Sequence, residues 1–150
     1  MAISSDRSVL CVGHIDQTIK VYKNISGTFT LVQTIAVGYV PFFMKLASQK
    51  MGVVGISSEL KFFDYDGTNF QYEGTFTLND TLIACLTTSD DFGLVTTGGN
   101  SNNMTVIKRN NGTYELFRSE PIGSFILSIS TDKLFQYYVI STTLQVYVFY

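Results

Sequence analysis

The chain repeats itself, in units long enough for four strands and too short for a domain, and this restricts its fold more than any other feature. Four polar segments align: Ser4-Ser5-Asp6-Arg7, Ala47-Ser48-Gln49-Lys50, Thr88-Ser89-Asp90-Asp91 and Ser130-Thr131-Asp132-Lys133, with third positions 43, 41 and 42 residues apart. Each precedes a short apolar run: VLCVG, MGVVGI, FGLVTTG and LFQYYVI. A second landmark recurs in phase downstream, as a Gly-Thr pair at Gly27-Thr28, Gly67-Thr68 and Gly112-Thr113.

Within a unit, one strand follows another. In the second copy, residues 42–48 (FFMKLAS), 52–57 (GVVGIS), 60–65 (LKFFDY) and 70–76 (FQYEGTF) are rich in β-branched and aromatic residues and separated by short turns. No stretch sustains a 3.6-residue apolar period. The Gly-Thr turns read NISGT, DYDGT and NNGT, where Gly or Asn supplies the positive φ of a tight hairpin. The expected fold is all-β: antiparallel four-stranded meanders stacked face to face, as in a β-propeller, over residues 1–35, 42–76, 83–120 and 125–150. Stacking buries both faces of a strand. The last run agrees, since Leu144, Val146, Val148 and Tyr150 alternate with Gln145, Tyr147 and Phe149, whereas a sandwich would show a cleaner polar face.

Counting from a first strand at Ala2–Ser5 to Tyr150 gives about fifteen strands, or three and three-quarter units, an incomplete ring. Two routes to closure are expected: further blades of the same chain, this being a piece of a longer protein, or a second copy. A compact four-bladed or sandwich-like monomer is the remaining arrangement. Alone, the chain exposes residues 143–150 (TLQVYVFY) as an apolar edge strand.

Residues 12–35, VGHIDQTIKVYKNISGTFTLVQTI, place Asp16 in a tight turn followed by Ile19-Lys20-Val21-Tyr22. In this the segment resembles the second-strand, turn and third-strand core of WD40-type β-propeller repeats. The likeness covers nearly the whole chain in degenerate form, with no Trp present. It implies a platform for protein–protein interaction or scaffolding within a larger assembly rather than an enzyme.

Composition narrows the function further. Hydrophobic residues make up 45% of the chain and charged residues 15%, which excludes disorder. Ten basic against twelve acidic residues leave a net charge of −2 and no general phosphate-binding surface, so nucleic acid is not an expected partner. No apolar run approaches the roughly 18–20 residues that cross a bilayer. Residues 1–13 lack the basic start and continuous apolar stretch of a secretion signal.

One histidine, His14, and no Ser-His-Asp, Cys-His or paired-His spacing leave no catalytic or transition-metal constellation, and no cofactor is expected. Cys11 and Cys85 lie in apolar runs at different places in different units and read as buried small hydrophobes without a mutual disulfide. Asp64 and Asp66 are spaced like the start of a calcium loop, but the equivalent turns lack paired carboxylates, so the feature is a hairpin first. Asp90-Asp91 reads as a solvated turn. Residues 96–103 (TTGGNSNN) lack the Lys-Ser/Thr ending of a phosphate loop and read as an enlarged turn between second and third strands.

In a propeller that turn shares a face with the links 36–42, 78–82 and 119–123. Tyr39, Pro41, Phe42, Asp80, Asn100 and Pro121 are therefore candidate partner-binding residues, with Tyr39 the leading anchor. The alternative is that Tyr39 and Phe42 pack between blades. Four Asn-x-Ser/Thr sequons, at Asn24, Asn79, Asn103 and Asn111, fall in expected turns and are candidate glycosylation sites. They support a second functional expectation, a glycosylated extracellular or lumenal propeller in adhesion or carbohydrate recognition. The compartment stays open, with the cytoplasm slightly preferred and a secreted or lumenal setting allowed by the sequons.

Overall fold

A computed structural model describes residues 1–150 except 48, 56, 80, 81 and 133. The described residues contain fifteen strands and no helix, arranged as four antiparallel meanders in chain order. The first sheet comprises β1 (Ala2–Ile3), β2 (Val9–Gly13), β3 (Thr18–Ile25) and β4 (Thr28–Ala36). The second comprises β5 (Pro41–Ala47), β6 (Lys50–Gly55), β7 (Glu59–Tyr65) and β8 (Phe70–Thr77). The third comprises β9 (Ile83–Thr88), β10 (Leu94–Gly99), β11 (Asn103–Asn110) and β12 (Thr113–Pro121). The fourth has three strands, β13 (Ile126–Thr131), β14 (Tyr138–Thr142) and β15 (Val146–Phe149). The all-β repeat expected from the sequence is the fold, an incomplete propeller-like arrangement in which no sheet closes into a barrel.

Turn chemistry explains where the strands reverse. Ser26-Gly27 and Asn111-Gly112 take positive φ at both residues, 52° and 90°, then 49° and 82°, which is the two-residue hairpin whose twist matches its strands. The β7–β8 hairpin is wider because the Asp66 carboxylate holds its loop, Oδ1 accepting from the amides of Thr68 and Asn69 at 2.8 Å each.

Irregularities repeat as faithfully as the strands do. The pairing of third with fourth strand shifts at Val21/Tyr22, at Phe62/Phe63 and at Val106/Ile107. The pairing of first with second strand shifts at Pro41/Phe43, at Gly98/Gly99 and at Ile126/Ser128. Each bulge recurs at a matching position in three of the four sheets and adds twist there, so successive sheets can stack.

Three apolar cores lie between consecutive sheets. Cys11, Ile19 and Val21 of the first sheet meet Met51, Val53 and Phe63 of the second. Leu60 and Phe62, on the opposite face of the second, meet Ile83, Val95 and Ile107 of the third. Met104 and Val106 of the third meet Ile126, Tyr138 and Ile140 of the fourth. The first strands sit side by side, β1 against β5, β5 against β9 and β9 against β13. Their approach needs a small residue in the preceding second strand: a Cβ on Gly13 would stand 2.7 Å from Pro41 Cγ and 2.9 Å from Pro41 O.

Two sequence expectations need correction. Arg7, Phe92 and Phe135 share positive φ, and their amides donate to Ser4 O, Ser89 O and Asp132 O. The true counterparts of residues 4–7 are thus 89–92 and 132–135, not 88–91 and 130–133. Residue type aligns the segments one way, whereas backbone conformation defines the turn. In the second sheet Ala47 pairs directly with Lys50. The enlarged turn at 96–103 is also absent: β10 runs to Gly99 and β11 starts at Asn103. The longer Gly67-to-Gly112 interval comes chiefly from the five residues 89–93 and the wider hairpin at 66–69.

Candidate interaction surfaces

Links between sheets and turns between second and third strands share one end of the molecule and are tied together. The amides of Val37, Leu78 and Ile122 donate to Gln17 O, Ser58 O and Asn102 O at 2.9, 2.7 and 2.8 Å. Asn100 joins this end, its amide donating to Leu82 O and its Oδ1 accepting from Leu82 N. The candidate rim residues divide by burial. Tyr39 and Pro41 are buried between the first two sheets, and the Tyr39 hydroxyl donates to Val53 O at 2.8 Å. Burial pushes the Tyr39 hydroxyl well above its ordinary pKa, and Lys61 Nζ lies 5.2 Å above the ring centre. Phe42, Asn100 and Pro121 are exposed, while Asp80 lies outside the described residues.

The sequons are spread over both ends. Asn24 lies inside β3, one residue before its end and not in the turn expected, with its Oδ1 accepting from Gly27 N, while Asn111 occupies the first corner of a tight hairpin. Asn79 is exposed in a link. Asn103 is not in a turn: it opens β11, half-buried, opposite Pro121. With Asn79, Ser101 and Leu116 it lines a cleft of about 110 Å³ between the second and third sheets.

At the opposite end, carboxylates organise turns. Asp6 Oδ1 accepts from the hydroxyls of Ser4 and Ser8 and from the Ser8 amide, and these bonds lower its pKa to about 2. Asp91 is lowered in the same manner by the Ser89 hydroxyl and the Gly93 amide, and Asp132 by the amides of Tyr137 and Gln136. Asp64 is paired with Lys50 at 3.1 Å, separately from the loop-holding Asp66.

A feature invisible to motif reading lies on the outer strands of the second and third sheets. Glu73 of β8 accepts from Lys50 of β6 at 3.0 Å, from Arg109 of β11 and from the Tyr114 hydroxyl of β12 at 3.1 Å. Burial raises the Glu73 carboxyl, but these donors outweigh it and leave the pKa lowered. Beside them Phe62 and Tyr114 stack, ring centres 3.4 Å and planes 4° apart.

The two cysteines belong to different cores and are not joined in a disulfide. Burial pushes the Cys11 thiol up to about 12, which keeps it protonated and unreactive near neutral pH. His14 follows β2 at the start of a turn, with its amide on Thr18 O.

The outward faces of the first and fourth sheets carry exposed apolar side chains, Ile3 and Leu31 on the first. Val139, Val146 and Val148 stand exposed on one side of the fourth sheet, while Tyr147 and Phe149 pack inward on its other side. Alongside, Phe117, Phe135, Tyr137 and Tyr150 line an open groove of about 530 Å³ between β12 and the fourth sheet. No helix among the described residues is long and apolar enough to cross a membrane. The chain matches no protein-family model and no curated protein.

Proposed function

We propose that the chain is a propeller segment of WD40-like type that works as a non-catalytic protein–protein interaction or scaffolding module. One observation carries this reading: the fourth sheet presents Val139, Val146, Val148 and Tyr150 to solvent as one contiguous apolar surface beside an aromatic groove. A patch of this kind, beside a groove that Arg118 and Gln136 help to line, marks a contact surface for another polypeptide. Meander sheets joined face to face in chain order support the propeller assignment.

The test is a photo-reactive amino acid placed at position 148 in the natural host, with position 111, in an exposed hairpin, as the control. Adducts containing a polypeptide at 148 and none at 111 are expected. No adduct at 148 would remove the reading.

A second reading, a glycosylated extracellular or lumenal propeller in adhesion or carbohydrate recognition, is favoured by the exposure of Asn24, Asn79 and Asn111. A mass shift of the natural protein on glycosidase treatment is its expected signature, and an unchanged mass discards it.

A further inference from the structure

The uncovered face of the fourth sheet is the repeat-equivalent of a face that is covered three times inside the molecule. Strand pairing fixes the equivalence. Cys11 pairs with Val21 and Gly13 with Ile19, while Val139 pairs with Val148 and Ser141 with Val146. Ile19 and Val21 are 0% and 1% exposed, as are Leu60 and Phe62 in the second sheet and Met104 and Val106 in the third. Val146 and Val148, at the same places, are each 65% exposed. Residue type is kept and only the cover is missing.

What covers this face inside the molecule is always the other face of the next sheet. On the second sheet that face is built from Leu46, Met51, Val53, Lys61 and Phe63. The first sheet carries the same set on its own uncovered side, fixed by the same pairing: Ile3 beside Leu10, Leu10 beside Tyr22, and Val12 beside Lys20. Thus Ile3 matches Leu46, Leu10 matches Met51, Val12 matches Val53, Lys20 matches Lys61 and Tyr22 matches Phe63. Ser141, like Gly13, is small where a following first strand must approach.

Resting on the interaction reading above, the geometry points to a second copy of this chain as the occupant: the fourth sheet of one copy docks on the first sheet of another, recreating the joint between the first and second sheets. Such contact is head-to-tail. It closes into a two-copy ring of eight sheets if the accumulated rotation allows, and otherwise continues as a stack.

The experiment uses sedimentation of the 150-residue chain and two single variants, Val148→Arg and Ile3→Arg, both at positions already exposed. The unaltered chain is expected to assemble beyond 16.7 kDa. Each variant loses one face and is expected to be monomeric alone. Mixed one to one, they retain one intact fourth-sheet face and one intact first-sheet face, and a dimer is expected to return. Circular dichroism matching the unaltered chain confirms that both variants fold. A monomeric unaltered chain, assembly that survives both substitutions, or a mixture that stays monomeric would overturn the proposal. Symmetric pairing of two β15 edges does not use the first sheet, so it would leave Ile3→Arg assembled on its own, a result that also overturns the proposal. Adducts at position 148 with a different polypeptide, together with a monomeric chain, would leave the interaction reading intact and remove only the second copy.

Discussion

Among the described residues, the joint between the second and third sheets has an outer tier that the joint between the third and fourth sheets does not show. Both have a dry apolar centre made by the first three strands of each sheet. In the former, β8 and β12 lie against each other, and Glu73 gathers Lys50, Arg109 and Tyr114 around the Phe62–Tyr114 stack. In the latter the fourth sheet has three strands, and Phe117 stays 60% exposed with Lys108 Nζ 5.7 Å from its ring centre. The difference separates two roles within one repeat. The inner strands supply hydrophobic stability, and the fourth strand seals the rim with paired charges in a half-buried setting.

The largest effect should come from contrasting the two centres of aromatic contact. Phe62→Ala is expected to cost about 3–5 kcal/mol, because a fully buried ring leaves a cavity. Phe117→Ala is expected to stay within about 0.5 kcal/mol, as for surface sites generally. Guanidinium unfolding midpoints check both, and a similar cost at the two positions would break the contrast.

A smaller effect is expected from the ionic tier. Glu73→Ala leaves Lys50 and Arg109 without their shared partner and should cost about 1–3 kcal/mol. Because the folded state lowers the Glu73 pKa, its contribution is fully present above the unfolded value of 4.5 and is lost as pH falls through the lower folded value. Glu73→Gln should therefore flatten the stability profile between neutral pH and that acid range, and urea unfolding across pH is the check. An unchanged profile would show that the outer tier is neutral for stability.

The smallest effect belongs to the exposed turn carboxylates. Asp6 should titrate near pH 2, read from its side-chain carbon shift in NMR, against an ordinary 3.8. Asp6→Asn should leave stability at pH 7 close to unchanged, since exposed hydrogen bonds of this kind are screened by water. Titration of Asp6 near its ordinary value would mean that the turn of residues 4–7 does not hold its carboxylate as described.

Much of the architecture was legible locally. Alternating apolar residues, Gly-Thr hairpins and the absence of helical periodicity fix strand order and the size of the unit, since each depends on residues within a few positions of one another. The turn alignment slipped at Asp90 because what matters is the positive φ of Phe92, which residue type does not announce. The rim was half legible: exposed Phe42, Asn100 and Pro121 occupy the end anticipated, while Tyr39 and Pro41 serve the core. The Glu73 cluster was illegible because its members come from four strands and are up to 64 positions apart, Lys50 to Tyr114.

The sequence by itself determined an all-β repeat of meander sheets with strands that can be apolar on both faces. Only the tertiary structure decided which of those faces are covered. Val21, Phe62, Val106 and Val148 share one place in the pattern, and the first three are buried while the last is exposed. The reason is physical: side-chain alternation and pairing register are set by neighbours along and across a strand, whereas burial is supplied by whichever sheet stacks next.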